Sequence, residues 1–401
     1  MNFKSIINAI SYRFSPVKKG SWVFTSFNGH YSDNPKYISE KLHLLDPSAE
    51  IIWLLDLKYE KSVPDYVKVI DIHKDEATSY LNHAEVVIDN GYAQRGYNYR
   101  NSIFDRCKAA VNRFLYFKSA QKIYTTWHGT PLKRMGRDQL GNEDICGFVC
   151  GNMTGFFNNR HTADILKHMT FDQMKTVLTG SPRNDLLFCD TAKTAELKEK
   201  LGLPKEKKVV LFAPTFRNDG KDIEGKNIER SGLSQLKEMD IPRLFDSLSE
   251  KFGGEWVLIC RFHYYVDSMV DWADLERKYP GQIINGNLHD DMAEYLACTD
   301  VLITDASSSM FDFALTKRPC FLYFPDLENY RSKERGFYMS LDELPFSCSE
   351  DFAGMIRQIE GFDSAVYGQG VDAMLDMLGD TDDGHASERV VNYILSECAG
   401  R

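Results

Sequence analysis

The chain lacks any run of about 18 consecutive apolar residues, the length a helix needs to cross a hydrocarbon core. Its N-terminus also lacks the long apolar stretch and small-residue cleavage site of a secretory leader. Both absences lead to the expectation of a cytoplasmic protein. A regular, even set of cysteines is missing as well: nine cysteines at irregular spacing leave one unpaired in any disulfide scheme and suit a reducing compartment. Cys146 and Cys150 have no second matching pair, and His161 and His168 lie too far on for a zinc finger, so no metal is expected. Low-complexity and collagen-like segments are absent. So is an excess of positive charge: the formal net charge is -10, which argues against a general nucleic-acid binder and turns attention to local clusters of the opposite sign.

What is present is enough chain for two domains, since 401 residues is long for one core. Short β-rich runs alternate with amphipathic helical stretches, the pattern of an α/β protein with parallel sheets and crossover helices. The first half offers strands at Trp22–Ser26, Glu50–Leu55, Val67–Asp71, Glu85–Asp89, Lys122–Trp127 and Thr176–Thr179. A second set follows Pro204: Lys208–Ala213, Trp256–Arg261, Gln282–Ile284, Val301–Thr304 and Cys320–Phe324. Two Rossmann-like domains are expected, 1–190 and 191–401. The boundary runs through Asp190–Lys207, where a charged helix stops at Gly202 and Pro204. Helices are expected across Phe352–Ile394, able to pack back over the first domain.

In such sheets the strand carboxyl ends face the ligand crevice, and with two facing sheets the crevice is expected between the domains. The segment Thr126-Trp127-His128-Gly129-Thr130-Pro131-Leu132-Lys133 places an imidazole at such an end beside a glycine turn, as a transfer site requires. A lone histidine capping a turn is the plainer alternative. Downstream, Ala213-Pro214-Thr215-Phe216-Arg217, Arg261-Phe262-His263 and Thr304-Asp305-Ala306-Ser307-Ser308-Ser309 all follow strands. The serine run opening a helix would present hydroxyls and free N–H groups to a phosphate, or simply cap the helix. Arg261 and His263 alternate, so both are expected on one face, able to grip a pyrophosphate. Arg183, in Gly180-Ser181-Pro182-Arg183-Asn184-Asp185, precedes a helix that Asn184 or Asp185 would cap. Asp380-Thr381-Asp382 reads as a solvated acidic loop rather than a metal site.

Taken in order, Phe27-Asn28-Gly29-His30-Tyr31-Ser32-Asp33-Asn34-Pro35-Lys36, the Trp127–Lys133 and Gly180–Asp185 segments, Ala213–Arg217, Arg261–His263 and Thr304–Ser308 with Phe311-Asp312 resemble the CDP-glycerol glycerophosphotransferase family of teichoic-acid and capsule synthesis. The resemblance covers nearly the whole catalytic region. It implies a GT-B fold and CDP-glycerol as donor, with no cofactor. It also implies His128 as catalytic base, assisted by His263. Gly129, Thr130, Pro131, Leu132, Arg183, Pro214, Thr215, Arg261, Phe262, Ser307, Ser308 and Asp312 would then hold the donor. Ala306 departs from the aromatic residue the family often carries between the aspartate and the serines. The resemblance also leads to the expectation of a short form, without the extra N-terminal domain of the long polymerases. In chemical terms an alcohol is too weak an acid to ionise before attack, so a histidine would take its proton as the bond forms. Charge stabilisation by Arg261, His263 and Arg183 would do the rest, with no metal obligatory.

One region breaks the acidic pattern. Residues 95–122 carry Arg95, Arg100, Arg106, Lys108, Arg113, Lys118 and Lys122 against Asp105 alone, with Ile103, Cys107, Val111, Phe114 and Leu115 at helical spacing. Tyr97, Tyr99, Tyr116 and Phe117 accompany them, and a similar stripe runs through Phe3, Ile6, Ile7, Ile10 and Phe14. Such a composition fits a helix lying on an anionic membrane, or a crossover helix with a basic solvent face. The expected partners are CDP-glycerol, a lipid-linked saccharide or polyol-phosphate acceptor and the cytoplasmic face of the membrane, with no nucleic acid; a homo-oligomer is compatible with the sequence. Donor chemistry leaves CDP-ribitol open. Other readings are a UDP-sugar-dependent glycosyltransferase or epimerase of the same fold, and a membrane-docked protein that has lost turnover.

Overall fold

The computed structural model describes residues 10, 12–58, 63–91, 97–100, 102–105, 107, 110–111, 118–139, 145–149, 152–170, 173–215, 232–330 and 336–399. By its contacts the chain forms two compact units. The first comprises residues 1–130, 135–185 and 379–401; the second comprises 131–134 and 186–378.

The sheet of the first unit contains β1 (Lys18–Phe24), β2 (Glu50–Leu55), β3 (Lys68–Asp71), β4 (Ala84–Asp89), β6 (Lys122–Thr125), β8 (Met153–Phe157) and β9 (Lys175–Leu178). Their order is 3-2-1-4-6-8-9 and every pairing is parallel. Strands covered on both faces read as continuous apolar runs, and β1 shows how the pleat sorts them. Trp22 and Phe24 enter one core with Trp53, Ile38 and Leu42, while Val23 joins Ile52, Leu54 and Val87 in another. Val390, Val391 and Ile394 of helix Ala386–Ala399 belong to the first of these cores, beside helix Asp33–Leu45. The C-terminal helix is therefore part of the first unit, where a single boundary near residue 190 had assigned it to the second.

The second unit repeats the design with β10 (Lys208–Ala213), β11 (Trp256–Cys260), β12 (Ile283–Asn285), β13 (Val301–Thr304), β14 (Cys320–Tyr323) and β15 (Ser347–Ser349), in the order 12-11-10-13-14-15. Val209, Leu211 and Ala213 face one core; Val210 and Phe212 face the other. A short piece of the His128 segment completes this unit. Leu132 is buried in its core, the Leu132 carbonyl accepts from Tyr338 N–H at 2.8 Å, and Arg134 N–H donates to Gly336 O at 2.8 Å.

The basic stretch differs from a single helix. Tyr97–Arg100 forms β5, paired antiparallel with β7 (Ile145–Val149). Lys118 is buried and donates to Ser15 O, Ser15 Oγ and Asn82 O at 3.0, 2.8 and 2.7 Å, so it braces the fold instead of facing lipid. Lys122 is buried too, with its ammonium on the Glu397 carbonyl. Burying an ammonium is costly unless acceptors replace its water, and the oxygens gathered around these two charges offset that cost. Arg95, Arg106, Lys108, Arg113, Phe114, Leu115, Tyr116 and Phe117, like Phe3, Lys4, Ile6, Ile7, Phe216 and Arg217, lie outside the described residues. Among the described residues no helix is long and apolar enough to cross a membrane.

Candidate active site

In the first unit the strand order reverses between β1 and β4, the switch point beyond whose carboxyl ends doubly wound sheets bind ligands. The side chains that follow the strands converge there. Asn90, just past β4, donates from Nδ2 to Ser26 Oγ at 3.0 Å and to Asp33 Oδ2 at 2.9 Å, tying β4 to the segment after β1. Its carbonyl oxygen lies 3.0 Å from His128 Nδ1. A carbonyl can only accept, so Nδ1 carries the proton and Nε2 presents the lone pair.

His128 is half-buried at the end of β6 between two residues of positive φ, Trp127 at 53° and Gly129 at 128°. The turn thus reverses the chain in a way only glycine adopts freely at the second position. The imidazole lies against Trp127 at 4.0 Å between ring centroids and meets the Phe27 ring edge-on at 5.0 Å. Desolvation lowers its pKa below the ordinary histidine value; the Asn90 carbonyl and the Asp33 carboxylate oppose that shift, and the Arg183 charge adds to it. The ring is therefore neutral at neutral pH, as a base must be.

Arg183, beyond β9, is held from two directions. Its Nη1 donates to Asp33 Oδ1 at 2.9 Å, and its backbone N–H donates to Asn34 Oδ1 at 3.0 Å. The loop carrying it is pinned by the C-terminal segment: Asp382 accepts from Ser181 N–H at 2.6 Å and from Asn184 Nδ2 at 3.0 Å. Gly180 is required there, since it has φ 81° and an added Cβ would sit 2.9 Å from Asp382 Oδ1. Asp380-Thr381-Asp382 is thus a clamp and not a solvated loop. Asp185 lies inside the short helical turn Pro182–Phe188 and caps a different helix: its two oxygens receive Ala386 and Ser387 N–H at 2.8 Å each, at the start of the distant helix Ala386–Ala399.

The second unit has its switch point between β10 and β13, and a hydrogen-bonded pair crosses it. Asp305 Oδ1, fully buried, accepts from Thr215 N–H at 2.8 Å and Thr215 Oγ1 at 2.7 Å. Beside them Ser307 Oγ lies 2.8 Å from Ser309 Oγ and accepts from Ser309 N–H at 3.3 Å. Ser308 heads the short helix Ser309–Ala314 with no side-chain cap bond. Ser307 and Ser308 are both half-buried. Asp312 is buried in that helix, and Pro214 is buried at the end of β10.

At the end of β11 the expected shared face for Arg261 and His263 is not what forms. The Arg261 guanidinium turns into the loop after β12, donating to the carbonyls of Gly286, His289 at 2.6 Å and Asp290 at 2.7 Å. Five fixed donors suit a fork that gathers three carbonyls, and a buried arginine without them would be costly. The Phe262 ring packs in the core against Phe212, and both its backbone polar groups are taken by Asn287: N–H to Oδ1 at 2.9 Å and O from Nδ2 at 2.6 Å. The Phe262 ring and both its backbone polar groups are thus taken up within the second unit. His263 is exposed, and partial desolvation lowers its pKa.

Among the other expected donor contacts, Thr130 is fully buried and its Oγ1 accepts from Asn158 Nδ2 at 3.1 Å and Asn159 Nδ2 at 2.7 Å. Gly129, Pro131 and Leu132 are buried beside it in the sequence. These residues shape the turn that carries His128. Asp33, Asn34, Asn90, Asp305 and Asn287 were not singled out from the sequence, although Asp33-Asn34 and Asp305 lie inside runs that were.

Residues 7–396 match the CDP-glycerol:poly(glycerophosphate) glycerophosphotransferase family. The chain belongs to that family. It is 29% identical over 398 residues to the teichoic acid poly(glycerol phosphate) polymerase of Staphylococcus epidermidis, covering 94% of this chain and 51% of the relative. With the teichoic acid glycerol-phosphate transferase of Staphylococcus aureus it shares 28% identity over 400 residues, 93% of this chain and 92% of that one. The chain spans about half the length of the polymerases of S. epidermidis and Bacillus subtilis. The solved structure of the wall teichoic acid polymerase TagF is similar at TM-score 0.73 and 27% identity, covering 96% of this chain and 90% of that one. The fold is accordingly GT-B-like, built from two doubly wound parallel sheets.

Proposed function

We propose that the protein transfers glycerol phosphate from CDP-glycerol to a hydroxyl of a lipid-linked acceptor, releasing CMP, in teichoic acid or capsule polymer synthesis. The observation that carries this reading is the placement of His128 at the end of β6, with Nδ1–H fixed on the Asn90 carbonyl at 3.0 Å and Nε2 as the accepting nitrogen; desolvation, which lowers its pKa, favours the neutral ring. In the reaction the acceptor oxygen bonds to the phosphorus that bears glycerol. The bond from that phosphorus to the bridging oxygen of CMP breaks, and the acceptor proton passes to Nε2 in the transition state. General-base help of this kind is worth about 10²–10⁴-fold.

The remaining work is charge stabilisation and positioning. Arg183 supplies a fixed cation beside the base, and exposed His263 with Ser307 and Ser308 supplies hydrogen bonds to the donor phosphates. Thr215, Pro214 and Asp312 shape the nucleotide side. Arg261 acts through the loop it gathers. Support for the donor comes from the family, from the S. aureus transferase of similar length and from a histidine variant of TagF soaked with CDPG. Exposed Phe14 (77%), Ile103 (70%) and Phe104 (83%) support a peripheral position on the cytoplasmic face of the membrane, where a lipid-linked hydroxyl would arrive.

Ribitol phosphate is the second reading, favoured by relatives such as the poly(ribitol-phosphate) polymerase of Bacillus spizizenii, 31% identical over 228 residues. Incubation of the protein with a lipid-disaccharide acceptor and each CDP-polyol, followed by product mass, decides. Gain of glycerol phosphate supports the proposal; gain of ribitol phosphate alone supports the second reading. Transfer of a sugar from a UDP-sugar with no phosphorus gained would overturn both.

A further inference from the structure

The first unit contains a device that the catalytic reading does not use. Asp33 adopts φ 61°, a conformation uncommon for any residue with a side chain, and is almost fully buried. Its carboxylate takes three donors: Arg183 Nη1 at 2.9 Å and Asn34 N–H at 2.6 Å on Oδ1, and Asn90 Nδ2 at 2.9 Å on Oδ2. Asn34, fully buried, bridges in the same sense. Its Nδ2 donates to the Trp127 carbonyl at 3.2 Å and its Oδ1 accepts from Arg183 N–H at 3.0 Å. Two adjacent side chains thus hold the residue whose carbonyl orients His128, the residue that precedes His128, and both ends of Arg183.

We infer that Asp33 and Asn34 are the positioning residues of this site, setting the base and the neighbouring cation from a single turn at the start of helix Asp33–Leu45. The inference rests on His128 as the base. The geometry explains the backbone of Asp33: with φ positive, the carboxylate is folded back over the strand ends, where it reaches β4 and the post-β9 loop together. A base displaced by about 1 Å costs roughly 10²-fold in rate, so a clamp that acts on two sides of one imidazole is a kinetic device. The two residues divide the work by charge. Facing His128 are the Asp33 carboxylate from the helix start and the Arg183 guanidinium from the post-β9 loop, while Asn90 and Asn34 contribute neutral groups.

That division makes the clamp testable apart from the donor. Asparagine tolerates positive φ as well as aspartate, so Asp33→Asn keeps the backbone and removes the charge. With Arg183 left uncompensated, the His128 imidazole, followed by NMR without any substrate, should titrate at lower pH than in wild type. Asn34→Ala should leave that titration in place. With donor and acceptor present, both variants should lose on the order of 10²-fold in kcat, and the acid limb of the pH–rate profile should move to lower pH in Asp33→Asn alone. An unmoved imidazole titration in Asp33→Asn, or wild-type kcat in both variants at wild-type melting temperature, overturns the inference. Absence of CMP release from wild type with CDP-glycerol overturns the proposed donor reaction and leaves the titration to decide on the clamp.

Discussion

The two units share one strand order yet use their switch points differently. In the first, a charged network of Asp33, Arg183 and Asn90 surrounds a titratable ring whose accepting nitrogen is left for chemistry. In the second, the polar groups are spent on backbone: Arg261 on three carbonyls, Asn287 on Phe262, Asp305 on Thr215. The comparison teaches that one architecture can hold a titratable ring among charged groups at one switch point and commit its polar side chains to stiffening loops at the other. Conservation of strand order says nothing about which.

The comparison breaks most visibly if the base is removed. His128→Ala should lower CMP release from CDP-glycerol by roughly 10²–10⁴-fold with little change in donor affinity; a donor-binding defect with kcat intact would place the histidine among the binding residues instead. Next in size is Arg261→Met, which strands the carbonyls of Gly286, His289 and Asp290. It should cost about 2–3 kcal/mol of stability in urea unfolding and raise donor KM, with the pH–rate profile unmoved. Arg261→Lys should not restore it, because an ammonium is a point donor where a fork is needed. Thr215→Val, which takes one donor from buried Asp305, should cost about 1–3 kcal/mol and act on KM more than on kcat.

The smallest effect is the most discriminating. A base with a lowered pKa is unprotonated above that pKa and is lost as pH falls through it, so wild-type kcat should hold through neutral pH and decline below about 6.5. A decline beginning above pH 7 would mean that the imidazole is held protonated, contrary to its burial.

Much of this was legible in the sequence. Unbroken β-branched runs gave most strands of both sheets because buried parallel strands have no polar face to show; Ser347–Ser349, a short edge strand of serine and cysteine, carries no such run and was missed. Met153–Phe157 escaped because Gly155 interrupts the run; the structure places Phe157 where a Cβ at 155 would stand 2.3 Å away. The partition of the chain was hidden for a different reason. Residues 131–134 and 379–401 join units remote in sequence through tertiary hydrogen bonds and cores, which leave no composition shift. At the two switch points, His128 and Arg183 in the first unit and Thr215 and the serines in the second were visible as polar residues after strands. The supporting shell was not, since Asp33 in a left-handed conformation and Asn90 acting through its carbonyl look like ordinary loop residues. Arg261 was visible but misdirected: spacing gives the face of a strand, and this arginine lies just past the last strand residue, where alternation ends.

The central claim is that neutral His128 accepts the acceptor proton while glycerol phosphate leaves CMP. Incubating wild type and His128→Ala with CDP-glycerol and a lipid-disaccharide acceptor, and following CMP together with product mass, tests it most directly. The account predicts a product heavier by glycerol phosphate, formed in step with CMP by wild type and reduced at least about a hundredfold by the variant. Wild-type turnover by His128→Ala, or CMP released with no phosphorus gained by the acceptor, would contradict it.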